Sequence, residues 1–133
     1  MSNKATIQGI YEAFGRGDIP AILEKLSEDV EWEYGIEDTG VPWLQERRGS
    51  ENVTGFFEAA GGLEFMKFQP KELLESNNIV VALIDVSFKV RSTGRAVEEE
   101  DEVHIWHFDE SGLVTRFCHR CDTYKHWRAT LSD

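Results

Sequence analysis

Basic residues are scarce in this chain of 133 residues, and their scarcity excludes several classes of partner. There are 14 lysines and arginines against 25 acids, which gives a formal net charge of −11. A phosphate backbone or an anionic membrane surface is bound through a basic face. We therefore expect no nucleic-acid partner and no membrane partner for this protein.

Long hydrophobic runs and cysteines are also few. The apolar run Ile79–Ile84 is far shorter than the ~20 residues that a helix needs to cross a bilayer. Residues Met1–Ile7 lack the apolar segment of an export signal. The two cysteines are therefore expected to be reduced thiols of a cytoplasmic protein rather than a disulfide.

Apolar periodicity divides the first half of the chain into three helices and one strand. The spacing predicts helices over residues 7–14, 19–26 and 50–60, and a strand over residues 30–34. Asp18 and Ser50 are typical N-cap residues for the second and third helices. The loop over residues 35–48 carries Trp43 and is where a lid over a pocket mouth would lie.

Four longer strands follow, over residues 64–74, 79–91, 96–108 and 113–123, and a short helix or an irregular cover ends the chain. Pro70 predicts that the first of them lies at a sheet edge or carries a bulge. Because there is no internal repeat and no linker, residues 1–133 are expected to form a single α+β domain in the order α-α-β-α-β-β-β-β. A meander of long antiparallel strands is expected to curl into a half-barrel covered by the three N-terminal helices, with a cavity for a small ligand inside.

The stretch Glu102–Asp122 holds three of the four histidines and both cysteines. His104 and His107 are three residues apart, and so are Cys118 and Cys121, so neither pair shares a face of a strand. Zinc needs about four converging ligands, and a redox Cys-x-x-Cys pair works at a helix N-terminus. We therefore predict no metal site and, since no glycine-rich phosphate loop is visible, no cofactor.

Alternation along the last two strands predicts one shared polar and aromatic face. Its members are Glu102, His104, Trp106, Phe108, Phe117, His119 and Cys121. If Phe108 pairs with Leu113, then Glu102 lies across from His119, whereas a bulge at Gly112 would change this register. Glu102 could equally continue the acidic run over residues 98–102 as a solvated strand end.

Four segments of the chain carry a family resemblance when their order and spacing are taken together. They are Ile7–Asp18, Leu26–Trp32, Gly49–Phe57 and Phe108–Val114. With them the chain resembles the SnoaL-like and ketosteroid-isomerase-like members of the nuclear-transport-factor-two-like superfamily, from about residue 7 to residue 122. The resemblance implies a cone-shaped, cystatin-like α+β barrel with a hydrophobic pocket, and often a homodimer through the outer face of the sheet. It also implies that the pocket is lined at positions His104, Trp106, Phe117, His119 and Cys121.

The residues of ketosteroid isomerases are not among those shared. The position of their catalytic aspartate holds Tyr34, that of the oxyanion-hole tyrosine holds Ile10, and that of the partner aspartate holds His104. Proton abstraction beside a ketone needs a carboxylate base and donors for the enolate. Steroid isomerase activity is therefore not expected.

Three functions remain open. The first is a cofactor-independent acid/base enzyme, of isomerase, cyclase, dehydratase or hydrolase type, acting on a small hydrophobic or aromatic molecule. In it His119 would be the acid or base, Glu102 its orienting partner and His104 an electrophilic donor. Ligand contacts are expected from Trp32, Tyr34, Phe57, Trp106, Phe117 and Cys121.

The second and third functions involve no chemistry. The same pocket could bind a hydrophobic metabolite without converting it, or the outer sheet face could bind another protein. Arg116, Arg120 and Val103 are expected on that outer face, where they could equally serve a homodimer.

Overall fold

The computed structural model describes residues 2–132 and has the helices and strands in the predicted order, with two additions. The helices are α1 (Asn3–Gly15), α2 (Ile19–Leu23), α3 (Ser50–Ala60) and α4 (Thr123–Ala129). The strands are β1 (Leu26–Trp32), β2 (Arg47–Arg48), β3 (Leu63–Ser76), β4 (Ile79–Val90), β5 (Ala96–Phe108) and β6 (Val114–Arg120). The additions are the two-residue β2 and the C-terminal α4. The helix α4 occupies the segment for which the sequence predicts either a short helix or an irregular cover.

Side-chain caps begin two of the N-terminal helices. Ser2 accepts a hydrogen bond from the backbone N–H of Ala5 at the start of α1, and Asp18 accepts one from Ala21 at the start of α2. The predicted cap at Ser50 is wrong. Gly49, at a φ of 89°, occupies the N-cap position, and Ser50 is already inside α3.

One open, curved sheet carries the fold, with the strand order β2-β1-β6-β5-β4-β3. All pairs are antiparallel except β1 and β6, which run parallel. The prediction for Pro70 is confirmed, because β3 is an edge strand and its register shifts between Pro70 and Glu72. The core joins inward-facing residues of α1, α2 and α3 to the sheet, so the three N-terminal helices cover its concave face as expected.

The predicted register of β5 and β6 is wrong. Phe108 pairs with Val114 rather than Leu113, and a bulge between His107 and Phe108 shifts the register by one more residue. His104 therefore lies opposite His119, where Glu102 had been expected. No helix within residues 2–132 is long and apolar enough to cross a membrane.

Candidate active-site cavity

A cavity lies between the helices and the concave face of the sheet, with a volume of about 80 Å³. Most of its lining is aromatic or aliphatic. The lining also contains one carboxylate and three imidazoles, those of Glu102, His104, His119 and His126. The volume is below the roughly 300–1,000 Å³ of typical ligand pockets. A ligand of that size therefore requires part of the wall to move.

Four of the six predicted ligand contacts line this cavity. They are Trp32, Phe57, Trp106 and Phe117. Phe117 stands between the two tryptophans, with its ring centre 4.2 Å from that of Trp32 and 4.4 Å from that of Trp106. These three rings, tilted against one another, give the cavity an aromatic wall against which an aromatic ligand could pack.

Tyr34 is not in the cavity, contrary to its prediction as a ligand contact. Alternation from the buried Trp32 would turn Tyr34 inward, but Glu33 adopts a left-handed φ of 57° and breaks the alternation. Tyr34 thus lies on the outer face, where its hydroxyl is 2.9 Å from His107 Nε2 and its ring is covered by Arg116 at 3.8 Å. The same backbone turn carries Glu33 into the interior, where it is 0% exposed.

Glu33 holds His119 at two points. The backbone N–H of His119 donates to Glu33 Oε1 at 2.8 Å, and His119 Nδ1 forms an ion pair with Glu33 Oε2 at 2.5 Å. Burial opposes the charge of this histidine, but the carboxylate of Glu33, helped by Cys121 and Glu102, outweighs burial and raises the pKa of His119 well above its usual value. His119 is therefore an imidazolium at neutral pH.

A second hydrogen-bonded chain runs along the opposite side of the cavity. Trp106 Nε1 donates to the hydroxyl of Tyr11 at 3.0 Å, and that hydroxyl lies 2.8 Å from His104 Nδ1. His104 Nε2 faces the carboxylate oxygen Oε1 of Glu102 at 3.4 Å and therefore carries the proton of the neutral ring, so Nδ1 accepts from the Tyr11 hydroxyl. Glu102 thus contacts His104, whereas it had been expected to orient His119.

The pKa values of His104 and His119 are shifted in opposite directions. Burial lowers the pKa of His104, which is thereby kept neutral, while His119 is kept charged by Glu33. Their ring centres are only 5.5 Å apart. Titratable neighbours whose environments separate their pKa values are the arrangement that general acid/base chemistry uses.

Tyr11 offers a direct test of this chain. Tyr11→Phe removes the hydroxyl and leaves Trp106 Nε1 and His104 Nδ1 without their partner, so we expect the free energy of unfolding to fall by about 1–3 kcal/mol. Urea denaturation measures the change. Tyr124→Phe, at a tyrosine that is 61% exposed, is the control, and equal stability of both variants would contradict the chain.

Sequence reasoning missed Glu33 and the hydroxyl of Tyr11. An alternating strand pattern contains no sign of a left-handed glutamate, so nothing in the sequence selected Glu33. Tyr11 was predicted only as part of the apolar stripe of α1, and it does pack against the core. Its hydrogen bond to His104 is a role that an apolar stripe does not indicate.

Within residues 2–132, one group of four side chains has donor atoms close enough together to hold a metal ion, and two of its members also line the cavity. The four are Glu99, Glu102, Cys121 and His126, with ligand atoms within 4.8 Å of one another. Cys121 therefore belongs to this group and does not line the cavity as predicted. Trp43 Nε1 donates to His126 Nδ1 at 2.9 Å, so Nε2 carries the ring proton and meets Glu99 Oε1 at 2.6 Å. In this arrangement the imidazole has no lone pair to offer a metal.

Comparisons with known proteins place these features in context. The sequence matches the SnoaL-like domain family over residues 7–117. A search of curated proteins found no significant match.

Among solved structures, an NTF2-like protein of unknown function from Burkholderia pseudomallei is 28% identical, with a TM-score of 0.82 over 99% of this chain and 100% of that one. TerC, co-crystallised with polyporic acid, is 24% identical, with a TM-score of 0.78 over 96% of each chain. A proposed polyketide cyclase from Pseudomonas putida is 15% identical, with a TM-score of 0.80 over 98% of this chain and 99% of that one.

Proposed function

Because the chain belongs to the SnoaL-like domain family, we propose that it is a cofactor-independent acid/base enzyme that moves protons on a small hydrophobic or aromatic molecule. One observation carries the proposal: two buried histidines, His119 and His104, lie with their ring centres 5.5 Å apart in a wall that is mostly aromatic and aliphatic. Such a site holds an apolar ring and offers it one acid and one base.

His119 is the acid. Its Nδ1 is engaged by Glu33, so Nε2 is the nitrogen that donates a proton to a developing negative oxygen of the ligand. His104 is the base, and Tyr11 connects it to the ligand. A proton leaving the ligand reaches the Tyr11 oxygen as the hydroxyl proton passes to His104 Nδ1. One proton is gained and one lost by the ligand, so the reaction is an isomerisation, or the first step of a cyclisation or elimination.

The names of the similar structures support aromatic candidates. TerC was crystallised with polyporic acid, and another structure of this fold bears the name of a polyketide cyclase. The homodimer through the outer sheet face and the cytoplasmic location stay predictions.

A ligand screen with a hydrogen-exchange readout tests the proposal. Aromatic polyketides, steroids, terpenoids and small aromatic acids are screened by thermal shift, where a ligand of the folded state raises the melting temperature by mass action. Each compound that binds is then incubated with the enzyme in D₂O and examined by mass spectrometry. We expect deuterium to enter at least one bound compound faster than in an enzyme-free control, even where no net product forms.

The outcome separates catalysis from binding. Compounds that bind and gain neither deuterium nor a new mass would contradict the enzyme and favour a module that only binds. Failure of every compound to bind would contradict both and direct attention to a protein partner on the outer sheet face.

A further inference from the structure

One residue of the cavity wall differs in kind from the others. Among the lining residues within 2–132, Trp43 alone belongs to no helix or strand. It lies in the loop that joins β1 to β2, yet it is only 6% exposed, and its neighbours Val41 and Leu44 are fully buried. Helices and strands are held by their own backbone hydrogen bonds, whereas this loop is held chiefly by its side chains.

A single polar contact fixes the Trp43 indole. Its Nε1 donates to His126 Nδ1 at 2.9 Å, between buried side chains, and its ring meets the edge of Phe88 with centres 5.8 Å apart. His126 belongs to α4 and is itself held by Glu99 of β5. The apolar packing of Val41 and Leu44 against the sheet is thus joined, at Trp43, by one polar contact through His126.

The protonation state of His126 is subject to two opposing demands. An indole N–H can only donate, so His126 Nδ1 must carry a lone pair while the bond to Trp43 exists. The surrounding acids favour the charged ring instead. Although burial opposes the charge, hydrogen bonds to Cys121, Glu102 and Glu99 raise the pKa of His126 to about 11. In this structure the hydrogen bond from Trp43 keeps the His126 ring neutral. A second ring proton, on Nδ1, would point directly at the N–H of the indole.

All the groups that face His126 enter this balance. Glu99 and Glu102 come from β5, Cys121 follows β6, and His119 of β6 lies with its ring centre 6.4 Å away, where its positive charge opposes a second one. The remaining neighbours, Trp43 and Phe88, are aromatic.

We propose that Trp43 determines the size of ligand that the cavity admits and the rate at which it enters, and that His126 is the residue that positions Trp43. The proposal deepens the proposed function, because it concerns access to the same cavity and rests on that cavity binding a ligand. A cavity of about 80 Å³ must widen to take a molecule of two rings. The loop with Trp43 is the part of the wall that can move without breaking a helix or strand.

Hydrogen exchange of the indole tests the fastening without any ligand. In ¹⁵N-labelled protein, the indole signal that disappears in Trp43→Phe is that of Trp43, and its exchange is compared with that of Trp127, which is 40% exposed. We expect Trp43 to be protected in the wild type and in His126→Asn, whose side-chain oxygen can accept in place of Nδ1. His126→Leu has no acceptor and should lose about tenfold in protection, the factor that one hydrogen bond supplies.

Rescue by His126→Asn is a readout that a merely structural histidine would not give, because asparagine restores the acceptor for the indole N–H but not the imidazole ring. The proposal is overturned if Trp43 exchanges as fast as Trp127 in the wild type, or if its protection is the same in His126→Leu.

Ligand entry tests the role in selection. Phenol, 2-naphthol and 4-phenylphenol are mixed with protein in a stopped-flow instrument, and entry is followed by quenching of tryptophan fluorescence. We expect Trp43→Phe to admit 4-phenylphenol about tenfold faster, again the factor of one lost hydrogen bond, with little change for phenol. Trp127→Phe is the matched control, and the phenols should enter it at wild-type rates.

The same experiment separates this proposal from the proposed function. If all three phenols enter both variants at wild-type rates, or if Trp43→Phe binds none of them, Trp43 does not control access. Deuterium incorporation by the wild type bears only on catalysis. It can therefore be absent although Trp43 controls entry, and it can be present although Trp43 does not.

Discussion

Replacement of His119 by asparagine is expected to lower turnover by about 10²–10⁴-fold, the range for loss of a general acid, with little change in ligand affinity. The amide of the introduced asparagine can still donate to Glu33 from near the former position of Nδ1, so the fold is retained. Alanine would be a poorer choice, because it would leave the carboxylate of Glu33 buried without a partner. Turnover is measured on whichever compound gains deuterium, and affinity by titration calorimetry.

The matched control for this change is His107→Asn. His107 lies on the same two-strand ribbon but on the outer face, where it contacts Tyr34. Its replacement should leave turnover within about twofold of the wild type, as is usual for a site that touches no substrate. Undiminished turnover in His119→Asn would show that His119 is not the acid. If turnover and ligand affinity fell together, His119 would be a binding residue instead.

Replacement of Glu33 by alanine is expected to have the largest effect on stability. Glu33 is 0% exposed and holds the charged ring and the backbone N–H of His119. Breaking a buried ion pair by removing one partner costs about 3–5 kcal/mol, because the remaining charge is left uncompensated. Urea denaturation measures the loss. Glu28→Ala, at an exposed position of β1, the strand that Glu33 follows, should change the free energy of unfolding by less than about 0.5 kcal/mol.

The milder change Glu33→Gln makes a pH-dependent prediction. A histidine whose pKa is raised on folding stabilises the folded state fully below its unfolded pKa of about 6.5, and this contribution is lost as the pH rises through the folded value. We therefore expect the stability gap between wild type and Glu33→Gln to be widest near pH 6, just below that unfolded value, and to narrow as the pH is raised. A gap that stayed constant with pH would show that Glu33 does not act through the charge of His119.

Local patterns predicted the elements and the facing of β5, and failed where the backbone departed from a regular strand. Alternation along β5 needs only the geometry of one strand, and residues Glu102, His104, Trp106 and Phe108 are indeed all buried. The pairing of His104 with His119 depends on a bulge beside Phe108, which no side-chain pattern encodes. Two shifts of one residue each, one at the turn and one at the bulge, together exchanged the partner of a candidate catalytic residue.

The candidate site was predictable in part for the same reason. His104 and His119 could be placed on one face from the sequence, but their partners come from distant segments. Glu33 enters through a left-handed residue, Tyr11 through the exact rotation of α1, and His126 from the C-terminal helix. Contacts of this kind are set by tertiary packing, which local periodicity does not describe.

The position of β6 in the sheet also dictates an order of events during synthesis. Of the strands in this sheet β6 is made last, yet it lies between β1 and β5, so β1 can join the sheet only after β6 has been made. The meander β3-β4-β5 can pair beforehand, since its contacts are between neighbours in the sequence. The bond from Glu33 to His119 closes across 86 residues. Until β6 is in place, a growing chain therefore has an incomplete aromatic wall and the carboxylate of Glu33 in water, so the proposed acid His119 and the completed wall are acquired together.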